Sequence, residues 1–283
     1  MIDVIKNLIP HRFYSNKLEI PVVRLHGAIM DSTTPLARTL SLSRCANLLD
    51  KAFADKTAPA VALLINSPGG SPVQSRFIFK RIRDLAEEKK KKVLVFVEDI
   101  AASGGYMIAC AGDEIFADPS SIIGSIGVVS ASFGFPELLK KIGVERRVYS
   151  AGKNKVTLDP FQPEKKSDIE HLKSLQLEVH QTFIDLVKER RAAKLSSDPD
   201  IFTGMFWSGK KGVELGLIDG LNDINSVIKE RFGHDTKLRL ISPPKSFLGP
   251  KIPAGVASHA VYTAVDSAFI TLQERALWQR YGL

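Results

Sequence analysis

Cysteine is scarce in this chain, and long apolar runs are missing from it. Cys45 and Cys110 are the only two cysteines among 283 residues, and they lie far apart, outside any CxxC or Cys/His cluster. That argues against a zinc centre or a disulfide framework and for two buried structural thiols. No uninterrupted stretch reaches the roughly 20 apolar residues of a membrane helix, and the interrupted segment Met1 to Arg12 is too short for a signal-peptide core. A cytoplasmic chain is expected. Blocks of five like charges are also missing, so the net charge of +8 has no concentrated source. Its densest run, Lys89 to Lys92, follows Glu87-Glu88 and precedes Val93 to Val97, which is how a solvated helix end looks with cations at its negative pole. With no aromatics interleaved, nucleic acid is not an expected partner. The phosphate-loop pattern GxxxxGK[ST] and the nucleophile pattern GxSxG are both missing, and neither a cofactor nor a metal is expected.

What is present is an ordinary hydrophobic content, 44%, on a chain long enough to bury its own core, so disorder is excluded. Up to about residue 150, short apolar runs alternate with longer amphipathic ones. Ile20 to Leu25, Ala60 to Ile65 and Val93 to Val97 read as strands, and 41–54 and 72–88 as helices. Strands that are apolar throughout and separated by helices belong to a parallel sheet covered on both faces. Further strands are predicted at Ile115 to Ala117, Val128 to Val129 and Val144 to Tyr149, with a short helix around Pro136 to Ile142. A long helix is predicted over 164–194, its apolar stripe including Leu175, Phe183, Leu186 and Val187. Two short helices around Gly216 to Gly220, a strand at Lys237 to Ile241, a linker through Gly249 to Pro253 and an amphipathic helix over about 256–281 complete the chain. The fold class is α/β, a mostly parallel sheet with flanking helices and a C-terminal helical extension.

Chemistry in such a fold is expected at the loops leaving the carboxyl ends of the parallel strands. Two of these are unusual. The strand ending at Ile65 runs into Asn66-Ser67-Pro68-Gly69-Gly70 and then a helix. Paired glycines there bring bare backbone N–H groups to the surface, where they can hold a developing oxyanion, although a plain tight turn uses the same residues. The strand ending at Val97 runs toward Ala101-Ala102-Ser103-Gly104-Gly105-Tyr106, where a serine with small neighbours sits at a helix start. Ser103 is a nucleophile or simply an N-cap. A nucleophilic serine needs a base, and none of the six histidines lies in a loop that converges on Ser103. The alternative is a lysine desolvated enough to lose its proton. The segment Ser150-Ala151-Gly152-Lys153-Asn154-Lys155 offers two, between which the residues alone do not choose.

Taken together, Asn66 to Gly70, Ala101 to Tyr106, Gly124-Ser125-Ile126-Gly127-Val128-Val129, Ser150 to Lys155 and Trp207 to Asp219 resemble, in order and spacing, the signal peptide peptidase A family of serine peptidases in its short single-unit form. The resemblance covers about residues 20–235. It implies a crotonase/Clp-protease-like fold and a peptide-hydrolysing Ser–Lys dyad. Ser103 then matches the nucleophile and Lys155, 52 residues further on, the general base, with Lys153 in reserve. Gly70 and Gly104 match the two oxyanion-hole donors, and Ser125 the serine that orients the lysine. The organisation implied is an N-terminal extension over 1–19, a peptidase domain over 20–235, and a C-terminal strand and helix over 236–283 that serve oligomerisation. Family members form rings or domes in which one subunit's lysine can complete its neighbour's site, so the partners implied are peptide substrates and further copies of the chain. Many relatives carry a membrane anchor; its absence from this sequence shifts the expectation toward a soluble peptidase or one in peripheral membrane contact. Two other classes compete. An acyl-CoA enzyme of the crotonase type would use Glu98 or Asp99, and a non-catalytic scaffold would use neither Ser103 nor Lys155.

Overall fold

The computed structural model describes residues 17–32, 39–242 and 270–283. Residues 1–16 of the N-terminal extension, the Gly249 to Pro253 linker and the first part of the last helix lie outside the described residues. The strands are β1 Glu19–His26, β2 Ala60–Ser67, β3 Lys92–Ala102, β4 Glu114–Ala117, β5 Ile122–Gly124, β6 Phe206–Ser208, β7 Gly220–Leu221 and β8 Lys237–Leu240. Between them run α1 Leu42–Phe53, α2 Pro72–Lys89, α3 Gly104–Ala109, α4 Pro136–Lys141, α5 Lys166–Arg191, α6 Gly209–Glu214 and α7 Ile224–Phe232. A last helix, α8, occupies 270–279. Among the described residues no helix is long and apolar enough to cross a membrane.

One sheet holds all eight strands, in the order β6-β5-β3-β2-β1-β8, with β4 and β7 branching from β3. Every pairing is parallel except β5 with β6. Alternation along the strands explains why they read as apolar throughout. Val61, Leu63 and Ile65 of β2, with Val93, Val95 and Val97 of β3, enter the large core beneath α1, α2, α3 and the end of α5. Ala60, Ala62, Leu94 and Phe96 face the other way, into a smaller core closed by Val227 and Ile228 of α7. A strand buried on both faces has no polar side to show.

The structure corrects three sequence expectations. β3 does not end at Val97 but continues to Ala102, because its second half finds a new neighbour: Ile100 to Ala102 pair with β5 after Leu94 to Val97 have paired with β4. Val128 and Val129 form no strand, the β5 ladder having ended at Gly124. Val144 to Tyr149 form none either, since no described strand lies beside them and the segment is solvent-exposed, Tyr149 by 91%. An apolar run makes a strand only where a partner supplies the ladder.

Where α5 ends, a buried ion pair ties it to the sheet. Arg191, 3% exposed, donates to the Gly216 carbonyl and to both oxygens of Asp219, and Lys194 adds a second cation at 2.7 Å. Burial raises the pKa of the Asp219 carboxyl, but hydrogen bonds from Arg191 and Lys194 outweigh it and hold the group below its ordinary value. Asp219→Ala leaves a buried guanidinium unpaired, and a loss of about 3–5 kcal/mol in unfolding free energy is expected. A depressed carboxyl stabilises the fold above its unfolded pKa, near 3.9, and loses that stabilisation as pH falls through the folded value. Denaturant unfolding of wild type and variant should therefore differ most at neutral pH, and the difference should shrink only as pH falls from about 4 through the folded value.

Candidate active site

Two β-to-α turns meet at the carboxyl end of the sheet. Ser103 joins β3 to α3 with φ 52° and ψ −122°, a backbone that side-chain-bearing residues rarely adopt. Its amide donates to the Gly124 carbonyl at 2.8 Å, so the hydrogen bonding of β3 to β5 persists one residue past the strand and holds the strained turn. The side chain is left half-exposed above the sheet edge. This is the strand-turn-helix geometry of a nucleophile elbow, reached without GxSxG. Close packing explains the small neighbours: a Cβ at Gly104 would lie 2.3 Å from Ser75 Oγ, and one at Gly105 2.4 Å from the Ser67 carbonyl.

The second turn, after β2, lies against the first. A Cβ on Gly69 would fall 2.8 Å from Ser103 Cβ and from the Gly104 nitrogen. Gly70 has φ +142° and touches the Ile29 backbone so closely that a Cβ would sit 2.2 Å from its oxygen. Ile29 donates to Gly69 and accepts from Ser71, skipping the amide between them. The Gly70 N–H thus has no acceptor among the described residues, and Gly104, as the first residue of α3, has none within its helix. Two uncommitted amides beside a strained serine are what an oxyanion hole requires.

Gly70, Ser103, Gly104, Met107, Val128 and Phe183 line one narrow cleft, its far wall supplied by α5. His180 of α5 fixes that wall by hydrogen-bonding the Ile126 carbonyl through Nε2 at 3.0 Å. A wider cavity, about 480 Å³, lies elsewhere, between Phe96 and Ile224, and Ser103 does not line it. Ser125 follows Gly124 directly and so sits beside Ser103, buried and with φ 53°. Lys153 and Lys155 are a different matter. Both are exposed in the loop after α4, and neither lines the cleft. Within one chain, then, Ser103, Gly70, Gly104 and Ser125 come together and the two lysines do not join them.

The carboxylates that a crotonase-type reaction would call on are already engaged. Glu98 pairs with Arg24 at 2.9 Å, and Asp99 accepts from Asn66 Nδ2 at 2.6 Å. No group of three or more His, Cys, Asp or Glu side chains among the described residues is placed to hold a metal ion. Cys45 and Cys110 are buried, and burial pushes both thiols up to about 12, which leaves them protonated at neutral pH. Sequence reasoning missed the approach of the C-terminal segment to this site: Tyr281, just beyond α8, hydrogen-bonds Ser125. The apolar stripe of that helix suits packing against protein or peripheral membrane contact and points to no particular residue.

Residues 86–235, more than half of the chain and including Ser103, Ser125 and both lysines, match peptidase family S49. The chain belongs to that family. Its mostly parallel sheet with flanking helices is the ClpP/crotonase-like fold of S49 peptidases. This S49 chain is 31% identical over 257 residues to the chloroplastic serine protease SPPA of Arabidopsis thaliana, covering 86% of the chain and 37% of that protein. It is 64% identical over 287 residues to a Brucella abortus protein named Na(+)/H(+) antiporter NhaA, covering 99% of the chain and 39% of that protein. The S49 chain thus spans about two fifths of the length of these relatives. A looser structural likeness, with a TM-score of 0.48 and 16% identity over 80% of the S49 chain and 99% of the other, is to a mutant of a membrane-bound stomatin-specific protease.

Proposed function

We propose that this S49 chain is a serine endopeptidase whose nucleophile is Ser103 and whose general base is Lys155, supplied by a second copy of the chain. The observation that carries the reading is the strained Ser103 elbow with the free Gly70 and Gly104 amides beside it. Attack of Ser103 Oγ on a peptide carbonyl moves negative charge onto the carbonyl oxygen, where the two amides stabilise it. The proton passes to the lysine amine and from there to the leaving amine. An acyl-enzyme remains, and water hydrolyses it with the same lysine as base.

A second copy is invoked because no lysine among the described residues lines the cleft around Ser103, while the segment that bears Lys155 is rich in apolar groups left in water. Phe133 is 80% exposed and Tyr149 91%, and Ile142 and Val144 are more than half exposed. Such a surface is unusual on a monomer and suits burial against another copy. The Arabidopsis relative is named a serine protease, which supports the class of chemistry. Signal-peptide remnants and other unfolded peptides are the proposed substrates. A fluorophosphonate probe tests the reading: peptide mapping should find one label per chain, on Ser103. Labelling elsewhere, or none in the assembled protein, overturns it.

A further inference from the structure

Ser125, the serine proposed to orient the base, already has a partner inside its own chain. Tyr281 donates its phenolic hydroxyl to Ser125 Oγ at 3.0 Å. Neither side chain is open to water, Tyr281 being 8% exposed and Ser125 2%. The contact is held in place by its surroundings. The Tyr281 ring stands edge-on to Phe206 of β6, with centroids 5.0 Å apart. Three residues earlier, Trp278 packs with Tyr281 against Ile100, Ala102 and Ile122, at the strand ends that carry Ser103 and Ser125, and lies 5.8 Å from His26 of β1. The C-terminal segment is therefore seated on the active-site end of the sheet by contacts to four strands.

A hydroxyl this buried cannot receive a lysine amine while the group that covers it stays. On the reading that Ser125 orients Lys155, we propose that Tyr281 is a latch: it occupies the place at Ser125 that the amine requires, keeps a lone chain inactive, and leaves when Lys155 of a second copy arrives. The exchange replaces one hydrogen bond to Ser125 Oγ by another, so its net hydrogen-bond change is small. What opposes it is the packing of Trp278 and Tyr281, a contact of a few side chains at the C-terminal end of α8, which a docking interface can overcome. Peptidase activity is thereby coupled to assembly, because one site cannot hold the tyrosine and the lysine together.

Two variants test the latch. Tyr281→Phe keeps the ring on Phe206 and removes only the hydroxyl; Tyr281→Ala releases both. At protein concentrations where wild type is only partly assembled, kcat/KM for an unstructured peptide is expected to rise roughly tenfold in Tyr281→Ala and by a smaller factor in Tyr281→Phe. Unchanged or lower activity in Tyr281→Phe overturns the latch and makes the tyrosine a support for Ser125 instead. Trp278 reports the motion directly: in a Trp207→Phe background its emission should shift to the red as activity appears with rising concentration, and constant emission across that transition overturns displacement. The site reading is scored separately. If Ser103→Ala and Lys155→Ala abolish activity while the Tyr281 variants stay neutral, the latch alone has failed; if Lys155→Ala stays active, the base assignment has failed and the latch with it.

Discussion

Replacing Ser103 by alanine is expected to lower kcat for peptide hydrolysis by about four orders of magnitude or more, without unfolding the protein. The size follows from what is removed: among the described residues the cleft around Ser103 holds no second side chain able to form the acyl intermediate, since its remaining lining is glycine, proline, valine, methionine and phenylalanine. Alanine keeps the Cβ, and with it the strain of φ 52°, so its stability should stay close to that of wild type. Glycine separates the two roles of the position. Ser103→Gly should be equally inactive but more stable, by about 1 kcal/mol or roughly 2 °C in Tm, because glycine adopts positive φ without a steric penalty. Steady-state hydrolysis and thermal unfolding of the three proteins check both halves. Residual activity in Ser103→Ala would remove the nucleophile assignment, and equal melting of the glycine and alanine variants would remove the strain.

That strain marks the boundary of what was legible beforehand. Strand and helix positions through residue 117, apart from the far half of β3, could be read because the central strands are buried on both faces and the helices carry one apolar stripe, so local pattern and global packing agree. Ser103 and Gly70 stood out as residue types in the right loops, but the φ values that give them meaning come from tertiary contacts. Gly70 is fixed by the Ile29 backbone and Ser103 by the Gly124 carbonyl. Val144 to Tyr149 fails for the complementary reason: its pattern is that of a strand, and what it lacks is a neighbouring strand among the described residues. The pairing of Tyr281 with Ser125, 156 residues apart, leaves no local trace, since a tyrosine after an amphipathic helix has no spacing that points to a particular serine.

Complementation between inactive chains is the sharper test of the proposed base. Ser103→Ala and Lys155→Ala, each alone, should lose activity by about three orders of magnitude or more, the first for want of a nucleophile and the second for want of a base. If the lysine acts in trans, mixed assemblies contain sites that take Ser103 from one variant and Lys155 from the other. Random equimolar mixing with subunit exchange makes on the order of a quarter of all sites complete, so activity should return to about that fraction of wild type. A lysine acting within its own chain predicts no recovery at any ratio, because every chain then lacks one half of its dyad. Repeating the mixture with Lys153→Ala in place of Lys155→Ala decides between the two lysines: that variant should be active alone, since its neighbouring lysine, two residues on, remains. The outcome also bears on the exposed apolar segment around Phe133 and Tyr149. Charged substitutions there, for example Tyr149→Glu, should abolish recovery while leaving each chain folded, because the side chain they alter is 91% exposed in the single chain and becomes buried only where a neighbour delivers its lysine.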